Sequence, residues 1–580
     1  MSYFKTNNII GKFELEGFSG IDRSSCASGN TCTDMVNLRV LPDRSVVKRD
    51  GFCELFDFTD DVRGVLTGKF DGKFVAFVVA GDLVYKFDFE SKTCKGIGVV
   101  KSETGPVSIF CYMGRVYIMD GMTISEIRDD VIYTTSGYAP LVGKDWGSNY
   151  PGEIYEPRNI LTPKARISYI VDDPPTAFLA TQYAVASVDA VYVNGVRKAK
   201  DTYGIDSRLR LLNVSGLNAG DKVLVYYNFT YSSEERDRFT KNTSVRVFGG
   251  TDNNRVFVWG GDEKNRIFVS TPTSPDSIKE AEVVLKNCGG LYFAENNDFA
   301  VGDSDSEIRE VIRHYDRLLM FTDKETWTTD TDPSPSGEYP MTRVNTELGC
   351  SALSGVVKSG NDPISVGRGD IYRWTSNTDS LEDRNAYAIS YKIKDILPTS
   401  FFSDAVVFAD RHNGEILFSY PDGDRRRVLV YAPATEDWYI YDNVSADLFF
   451  EGESSLGFAS GSKLCIFERG ASKDSFLDHT ERQIDAFCVY APHSFGHPTR
   501  KKRIAGVMGV GELKGGELNV SFESDSGNIY AVDLAGGDTG CVEFLYKRGR
   551  SERFKSSRIK ISTDASVQQR LYSLTVAARA

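Results

Sequence analysis

The stretch Phe70-Asp71-Gly72-Lys73-Phe74-Val75-Ala76-Phe77-Val78 combines a short polar turn with a run of β-prone apolar residues. We call this combination the repeated phrase. The phrase returns at 112–119, 252–259 and 314–321, and looser copies occur at 360–366, 410–418 and 457–467. Most neighbouring copies lie about 40–60 residues apart, which is the length of one four-stranded propeller blade. We therefore predict an all-β chain whose main body is a β-propeller of about six or seven blades.

The composition of the 580 residues fits many short strands joined by tight turns. Aromatic residues make up 12% of the chain, and 52 glycines stand against 19 prolines. Such a composition is typical of β-strands with Gly, Asn and Asp turns. Helical patterning is scarce, and the clearest candidate for a short helix is 277–282. The ten cysteines are dispersed without a Cys-x-x-Cys pair, so we expect buried free thiols rather than a zinc site.

The net charge of the chain limits the classes of partner that it can bind. It carries 81 Asp and Glu against 68 Lys and Arg, which gives a formal net charge of −13. A surface that grips nucleic acid needs clustered cations, so a general nucleic-acid-binding protein is disfavoured. The charge is compatible with a channel through which DNA passes without binding, because an acidic channel wall repels the duplex. No apolar run approaches the roughly 18 residues of a membrane span, and residues 1–8 do not resemble a signal peptide, so we expect no stable membrane insertion.

Breaks in the repeated pattern divide the chain into five segments. We predict an N-terminal leader with a hairpin, the first propeller blades, an inserted β-sandwich, the remaining blades, and a separate C-terminal β-sandwich, at 1–60, 61–150, 151–240, 241–497 and 498–580 respectively. The insertion is inferred from the long gap between the second and third copies of the phrase and from a hairpin signal, Asn194-Gly195. The last segment has basic runs at 500–503 and 547–550, which favour either a solvated face or contact with DNA or an acidic neighbour.

No pattern singles out a catalytic, cofactor-binding or metal-binding residue, and we predict none, nor any enzyme activity. His493 and His497 flank a likely loop and lack helical zinc spacing. The alternating carboxylates of 303–307 resemble part of a calcium loop but lack its Gly and distal Glu. Residues 523–530 half resemble the Asp-box of sialidase propellers, without its first Ser and its Trp, and a turn is the better interpretation.

Three segments, taken together, resemble a known family. Met35-Val36-Asn37 followed by Val47-Lys48-Arg49-Asp50-Gly51-Phe52 is similar to the opening of phage tail nozzle chains, also called tail tubular protein B, and of related phage stabilisation proteins. Residues 307–327 resemble the central blade of that family, with an aromatic-Asp-Arg-Leu turn between strands. Residues 191–227 resemble a β-sandwich common in phage tail and fibre proteins.

The resemblance implies a structural virion protein. Members of the family form rings, usually hexamers, below the portal and adaptor, where they extend the DNA channel and help to retain the genome. The implied partners are further copies of the chain, adaptor and portal-proximal proteins, and DNA that passes without sequence-specific binding. Tail fibres or spikes are further candidate partners, although the short leader offers no identifiable docking segment. The implied location is the phage tail, after synthesis and assembly in the host cytoplasm.

A second hypothesis is a receptor-binding tail tip whose propeller binds or cleaves glycans. Exposed aromatic rings could stack on sugars, and the candidates are Trp327, Trp374 and Trp438. Burial of these rings within the blades is the competing interpretation. A third hypothesis, a cellular repeat adaptor, fits less well, because no Trp-Asp dipeptide recurs and large sandwiches interrupt and follow the blades.

Overall fold

A computed structural model shows a closed seven-bladed β-propeller, an inserted β-sheet domain, and a β-sandwich built from both ends of the chain. The structure describes residues 9–24, 29–147, 152–172, 183–206, 211–230, 232–249, 254–271, 277–280, 283–286, 290–315, 317–330, 338–375, 386–535, 542–547 and 553–580. Within those ranges, no helix is long and apolar enough to cross a membrane.

The leader and the first two blades contain the first thirteen strands. The leader strands are β1 (Ile9–Leu15), β2 (Cys32–Val36), β3 (Leu38–Val40), β4 (Val46–Lys48) and β5 (Gly51–Asp57). Blade one comprises β6 (Val62–Phe70), β7 (Lys73–Ala80), β8 (Leu83–Asp88) and β9 (Thr93–Val99). Blade two comprises β10 (Ser108–Tyr112), β11 (Arg115–Met119), β12 (Ile124–Arg128) and β13 (Val131–Thr134).

The insertion follows blade two, and blade three follows the insertion. The inserted elements are β14 (Leu141–Trp146), β15 (Glu153–Ile154), β16 (Lys164–Ile170), β17 (Val185–Val193), β18 (Val196–Arg197), a 3-10 helix (Lys200–Thr202), β19 (Tyr203–Asp206), β20 (Leu211–Val214), β21 (Lys222–Phe229) and helix α1 (Ser233–Thr240). Blade three and its internal hairpin comprise β22 (Ser244–Phe248), β23 (Arg255–Trp259), β24 (Arg266–Val269), β25 (Ser277–Glu280), β26 (Val283–Lys286) and β27 (Asp298–Ala300).

Blades four to seven follow in chain order. Blades four and five comprise β28 (Ile308–His314), β29 (Arg317–Thr322), β30 (Thr326–Asp330), β31 (Met341–Asn345), β32 (Val356–Ser359), β33 (Asp362–Val366), β34 (Ile371–Trp374) and β35 (Ala386–Ala388). A 3-10 helix (Lys394–Ile396) and helix α2 (Thr399–Asp404) precede blade six. Blades six and seven comprise β36 (Val406–Asp410), β37 (Glu415–Asp422), β38 (Arg425–Ala432), β39 (Asp437–Tyr441), β40 (Leu448–Glu451), β41 (Leu456–Ser460) and β42 (Lys463–Glu468), with β5 as the fourth strand of blade seven.

The C-terminal part adds nine strands. They are β43 (Lys473–Ser475), β44 (Glu481–Gln483), β45 (Phe487–Tyr490), β46 (Arg503–Glu512), β47 (Glu517–Ser524), β48 (Ile529–Ala535), β49 (Val542–Lys547), β50 (Ser557–Ser562) and β51 (Arg570–Arg579).

The propeller ring is closed by a strand from the leader. The innermost strand of each blade contacts that of the next, and β40 of blade seven contacts β6 of blade one. The outer position of blade seven is filled by β5, which runs antiparallel to β42 with Phe52 opposite Phe467. Because blades stack face to face, their middle strands are buried on both faces. All of 75–80 in β7 is buried, for example. The predicted all-β propeller fold is therefore confirmed, with seven blades.

The repeated phrase lies at the same position in six of the seven blades. Six copies span the turn between the first and second strands of a blade. The copy at 457–467 instead spans the second and third strands of blade seven, where Gly461 turns with φ of 55°. Residues 252–253 and 316, which belong to two of the copies, lie outside the described residues.

The inserted domain is a six-stranded sheet in the order β15-β14-β16-β21-β17-β18, beside the two-stranded pair β19-β20. Its sheet begins at Leu141, ahead of the predicted start at 151, because β14 pairs in parallel with β16. The predicted hairpin at Asn194-Gly195 is confirmed by φ values of 48° and 79° and by the pairing of Val193 with Val196. Left-handed φ at both turn residues is the reason for the Asn-Gly pair.

Two further predictions from the sequence differ from the structure. The short helix predicted at 277–282 is wrong, since Ser277–Glu280 forms β25 and pairs with β26, whose Val283-Val284 sequence favours a strand. The sandwich predicted as a separate C-terminal unit also contains the leader, because β1 and β4 pair with β51, β3 extends the same sheet through β4, and β2 pairs with β45.

Blade six continues directly into the sandwich. A nine-stranded sheet runs in the order β36-β37-β38-β39-β2-β45-β50-β47-β48, with β2 parallel to β39 at their junction. One apolar core cluster extends from blade five through blade seven into the sandwich. The leader therefore connects the propeller and the sandwich through shared sheets as well as through the chain.

Candidate functional site

The motif Lys48-Arg49-Asp50-Gly51-Phe52 lies where the leader leaves the sandwich and enters blade seven. Arg49 donates from both terminal nitrogens to the two carboxylate oxygens of Asp474, at 2.9 and 3.0 Å. Each of these two side chains is 1% exposed. Asp474 lies on β43, and it also accepts a hydrogen bond from Arg482 on β44 at 3.0 Å. A buried carboxylate shared by two guanidiniums holds these elements together.

Asn37 extends this network to blade six. Its Oδ1 accepts hydrogen bonds from Arg49 Nε and from the backbone N–H of Asp442, both at 2.9 Å. Its Nδ2 donates to the carbonyl of Asp485 at 2.8 Å. Asn37 has φ of 53°, a left-handed conformation that Asn tolerates better than most residues. One side chain thus joins the leader, the end of blade six and the segment before β45.

Gly51 and Phe52 begin the closing strand. A Cβ on Gly51 would lie 1.8 Å from the carbonyl oxygen of Lys473, so only glycine fits this close backbone approach. Phe52 makes edge contacts with the rings of Phe458 and Phe476, at centroid distances of 5.2 and 6.0 Å. The end of the motif therefore anchors β5 in the apolar interior of blade seven.

Lys48 differs from its neighbour Arg49 in having no carboxylate partner among the described residues. The residue is 2% exposed, and its ammonium donates to the carbonyls of Asp564 and Ala565 at 3.1 and 3.0 Å. Burial lowers the pKa of Lys48 to about 8, and Arg49 also disfavours its charge, although Asp564 opposes the shift. A buried ammonium that contacts only carbonyl oxygens is expensive to keep charged.

A second buried ion pair joins the leader hairpin to blade six. Arg39 on β3 donates to Glu415 at the start of β37, at 2.6 Å. The hydroxyls of Tyr439 and Tyr441 donate to the same carboxylate at 2.6 and 3.1 Å. Burial raises the pKa of Glu415, while Arg39 and Tyr439 oppose that shift. Two buried ion pairs therefore hold the leader: Arg39–Glu415 before the motif and Arg49–Asp474 within it.

A groove of about 470 Å³ opens beside these networks. Its walls come from the leader hairpin at Lys48, the blade-six turn at His412, the blade-seven turn at Arg469, and the sandwich, at the Lys514 turn and the start of β51. The groove therefore lies between the propeller and the sandwich, next to the only strand that closes the propeller ring within the described part of the chain.

The tryptophans proposed for sugar stacking do not form a binding surface. Trp374 and Trp438 are 2% and 0% exposed, and their indole N–H groups donate to Ser365 Oγ and to the carbonyl of Ile389. These two candidates are wrong. Trp374 lies on the third strand of blade five, which blade stacking covers on both faces, and Trp438 lies on the outer strand of blade six, where its ring packs against Phe418 and Tyr431. Trp327 is half-buried, and the guanidinium of Arg343 lies 4.7 Å from its ring centroid.

The histidines and carboxylates weighed as metal ligands have other contacts. His493 lies against Phe13, and His497 Nε2 donates to the carbonyl of Ile10 at 2.9 Å, so both histidines hold β1. Asp305 pairs with Lys324 at 2.5 Å. The residues described contain no group of three or more His, Cys, Asp or Glu placed to hold a metal ion.

The remaining sequence candidates are in turns or lie partly outside the structure. Residues 523–530 form the end of β47, the hairpin turn and the start of β48, with Gly527 at φ of 81°. This agrees with the turn interpretation. The basic run at 500–503 is described, and Lys502 is buried, with its ammonium donating to three backbone carbonyls. Of the run at 547–550, residues 548–550 lie outside the described residues.

The Lys48–Phe52 motif is visible in the sequence, but its partners are not. Asp474 lies 425 residues from Arg49, and no local pattern connects them. The available signal was a charged pair, Lys48-Arg49, set between two apolar strand segments. Such a pair in a buried strand requires an acidic or carbonyl partner somewhere in the fold.

Comparisons with known proteins do not identify a family. No protein-family model matches the chain, and no curated protein matches it in sequence. Similar solved structures include the AfRom2 CNH domain, at 7% identity and a TM-score of 0.34, covering 72% of this chain and 99% of that one. A chain of the mitotic checkpoint complex has 10% identity and a TM-score of 0.33, covering 71% and 93%. The exo-β-1,3-galactanase of Phanerochaete chrysosporium, solved with galactose, has 9% identity and a TM-score of 0.23, covering 57% and 95%. At these TM-scores the likenesses carry no argument about function.

Proposed function

We propose that this chain is a structural subunit of a phage tail: a nozzle or hub protein. Copies of it form a ring that extends the DNA channel below the portal and adaptor. The ring retains the genome and conducts it at ejection. The protein acts mechanically, and its partners are further copies, the adaptor and portal-proximal proteins, and DNA in transit.

The observation that carries this proposal is the way the leader secures the whole chain. Strand β5 closes the propeller, β2 joins blade six to the sandwich, and β1 and β4 pair with the C-terminal strand β51. A closed propeller leaves few free strand edges, and shared sheets resist relative movement of the bodies. A wall that holds packaged DNA under load needs this kind of rigidity.

The distribution of charge is compatible with a channel wall. The chain has a net charge of −13, yet residues 498–580 contain 14 Lys and Arg against nine Asp and Glu. The acidic excess therefore belongs to residues 1–497, which include the propeller and the insertion. An acidic wall repels a passing duplex and keeps it from sticking.

The alternative function is a receptor-binding or glycan-cleaving tail tip. Two of its three candidate aromatic residues are buried and cannot stack on a sugar. Trp374 and Trp438 lie in the blade cores. The two functions can be separated with the full-length chain. We expect it to co-sediment with purified portal–adaptor assemblies of the same virion and to leave host surface polysaccharide intact. An adaptor assembly from an unrelated virion is the control. Release of reducing sugar without co-sedimentation would replace the nozzle proposal with the tail-tip alternative.

A further inference from the structure

The groove beside Lys48 has an excess of cations. Its lining includes Arg39, Lys48, Arg469, Lys514 and Arg570, against two carboxylates, Asp50 and Glu512. This is notable in a chain whose net charge is −13. The excess is assembled from the leader, blade seven and the sandwich, so it exists only in the folded protein.

Two of the five cations already have carboxylate partners. Arg39 pairs with the buried Glu415, and Arg570 pairs with Asp43 at the rim. Both groove carboxylates also have hydrogen-bond donors, since Asp50 accepts from the N–H of Gly470 at 2.8 Å and Glu512 from the hydroxyl of Tyr572 at 2.6 Å. Neutral donors leave both carboxylates negatively charged, so the lining of the groove has three more cations than carboxylates.

The other three cations of the groove, Lys48, Arg469 and Lys514, differ from Arg39 and Arg570 in their partners. None of the three forms an ion pair within the part of the chain that the structure describes. Arg469 and Lys514 are exposed on turns. Lys48 is buried and has only the carbonyls of Asp564 and Ala565 as acceptors. Three cations without counter-ions thus share one groove, and one of them has been removed from water.

Other cations at this junction have carboxylate partners, whereas the buried Lys502, far along the chain, donates to backbone carbonyls as Lys48 does. Arg49, next in sequence, has Asp474, and Arg39 has Glu415. A buried charge without a counter-ion lowers stability and is retained at functional sites more often than elsewhere. An anion in the groove would compensate Lys48 and would also neutralise Arg469 and Lys514.

The remaining donors indicate what kind of anion fits. The amide groups of Gln568 and Gln569 already donate to backbone carbonyls, to those of Ala471 and Leu513 among others. The available donors include an arginine and two lysines, which suit an oxyanion with several acceptor oxygens. We propose that this groove binds a phosphate group, with Lys48, Arg469 and Lys514 as its cationic ligands.

The phosphate would bridge the leader, blade seven and the sandwich, and so reinforce the junction. The inference does not depend on the nozzle proposal. The phosphate group has two possible sources, free inorganic phosphate and the backbone of a DNA duplex. The shared chemistry is the oxyanion, and the experiment uses both sources as separate probes.

The test is isothermal titration of the full-length chain at low ionic strength with inorganic phosphate and, separately, with a short DNA duplex. The test variant is Arg469→Gln with Lys514→Asn. Both side chains are exposed on turns, so the fold should persist, and Asn tolerates the φ of 49° at position 514. The matched control is Lys92→Gln with Lys358→Gln, which removes two exposed cations outside the groove.

We expect the wild type and the control to bind phosphate equally and the test variant to bind at least about tenfold more weakly. A similar loss with the duplex alone would support the site and identify nucleic-acid phosphate as the source. If neither probe binds the wild type, or if both bind the test variant as tightly as the control, the phosphate site is refuted.

Discussion

Arg49 and Asp474 form a bidentate ion pair in which each side chain is 1% exposed, although the two residues lie 425 positions apart. The pair joins the turn before the closing strand β5 to strand β43, which follows blade seven. Removing one partner leaves the other charge buried and uncompensated. The pair is therefore one of the buried contacts that join the leader to the part of the chain after blade seven.

We therefore expect Asp474→Asn to lower the free energy of unfolding by about 3–5 kcal/mol, the usual cost of breaking a buried ion pair. Denaturant unfolding measures the change. The control is Glu453→Gln, whose partner is Lys69 in a pair with side chains 58% and 66% exposed. The control should change stability by no more than about 1 kcal/mol. Equal effects of the two substitutions would show that Arg49 and Asp474 do not stabilise the junction.

The closing strand should tolerate no side chain at position 51. A Cβ there meets the carbonyl of Lys473 at 1.8 Å, so Gly51→Ala should force the backbones apart and cost at least about 2 kcal/mol. Gly96 on the outer strand of blade one has open space around its Cβ position. Gly96→Ala should change stability by less than about 0.5 kcal/mol. Thermal unfolding of both variants compares them, and an unaffected Gly51→Ala protein would contradict the close approach.

Lys48 should give the stability of the protein a specific pH dependence. Its folded pKa of about 8 lies below the ordinary 10.5, so between these values the unfolded chain binds a proton that the folded chain has released. Stability should therefore rise with pH across this window, and the cost of the buried charge should be fully present below about pH 8. The charged groups that bear on the ammonium are Arg49, Asp474, Asp485 and Asp564.

The measurement is denaturant unfolding of the wild type and of Lys48→Met at about pH 7.5 and about pH 10.5. The wild type should gain about 3 kcal/mol relative to the variant over this range, as expected when the pKa of Lys48 is about 8 in the folded state and 10.5 in the unfolded state. Parallel pH profiles for the two proteins would mean that Lys48 titrates normally in the folded state.

The described cysteines should differ in reactivity. Burial raises the pKa of Cys350 to about 12 and also raises that of the buried Cys465. Cys111, on the innermost strand of blade two, is the exposed thiol among the described cysteines. Partial burial also raises the pKa of Cys111, but its thiol is exposed. Because the reagent must reach the thiolate, Cys111 should be alkylated in the folded protein while Cys350 and Cys465 remain protected. Peptide mass spectrometry measures each site, and unfolding in denaturant should abolish the difference. Fast labelling of Cys350 in the folded state would contradict its burial.

The propeller could be predicted because its signal is local. Each blade repeats a turn and two adjoining strands, and the phrase at 70–78 shows both within nine residues. The partners of β5 and β2 could not be predicted in this way, because alternation of apolar residues indicates a strand but not its neighbour. For the same reason the sequence predicts a sandwich of residues 498–580 alone, although β1 and β4 belong to it.

The candidate site shows the same limit. The sequence pointed to Lys48–Phe52 as a motif, but Asp474 and the carbonyl of Asp564 are brought to it only by the fold. For Trp374 and Trp438 the competing interpretation, burial within the blades, is the one that the structure supports. Burial in a propeller depends on the neighbouring blade as well as on the strand itself.

The nozzle proposal rests most directly on ring assembly. Electron microscopy of the purified full-length chain, alone and mixed with the portal–adaptor assembly of the same virion, tests it. The proposal predicts rings of several copies that lie coaxially on the portal and enclose a channel wide enough for a DNA duplex. Single copies that neither form rings nor bind the portal–adaptor assembly would contradict it.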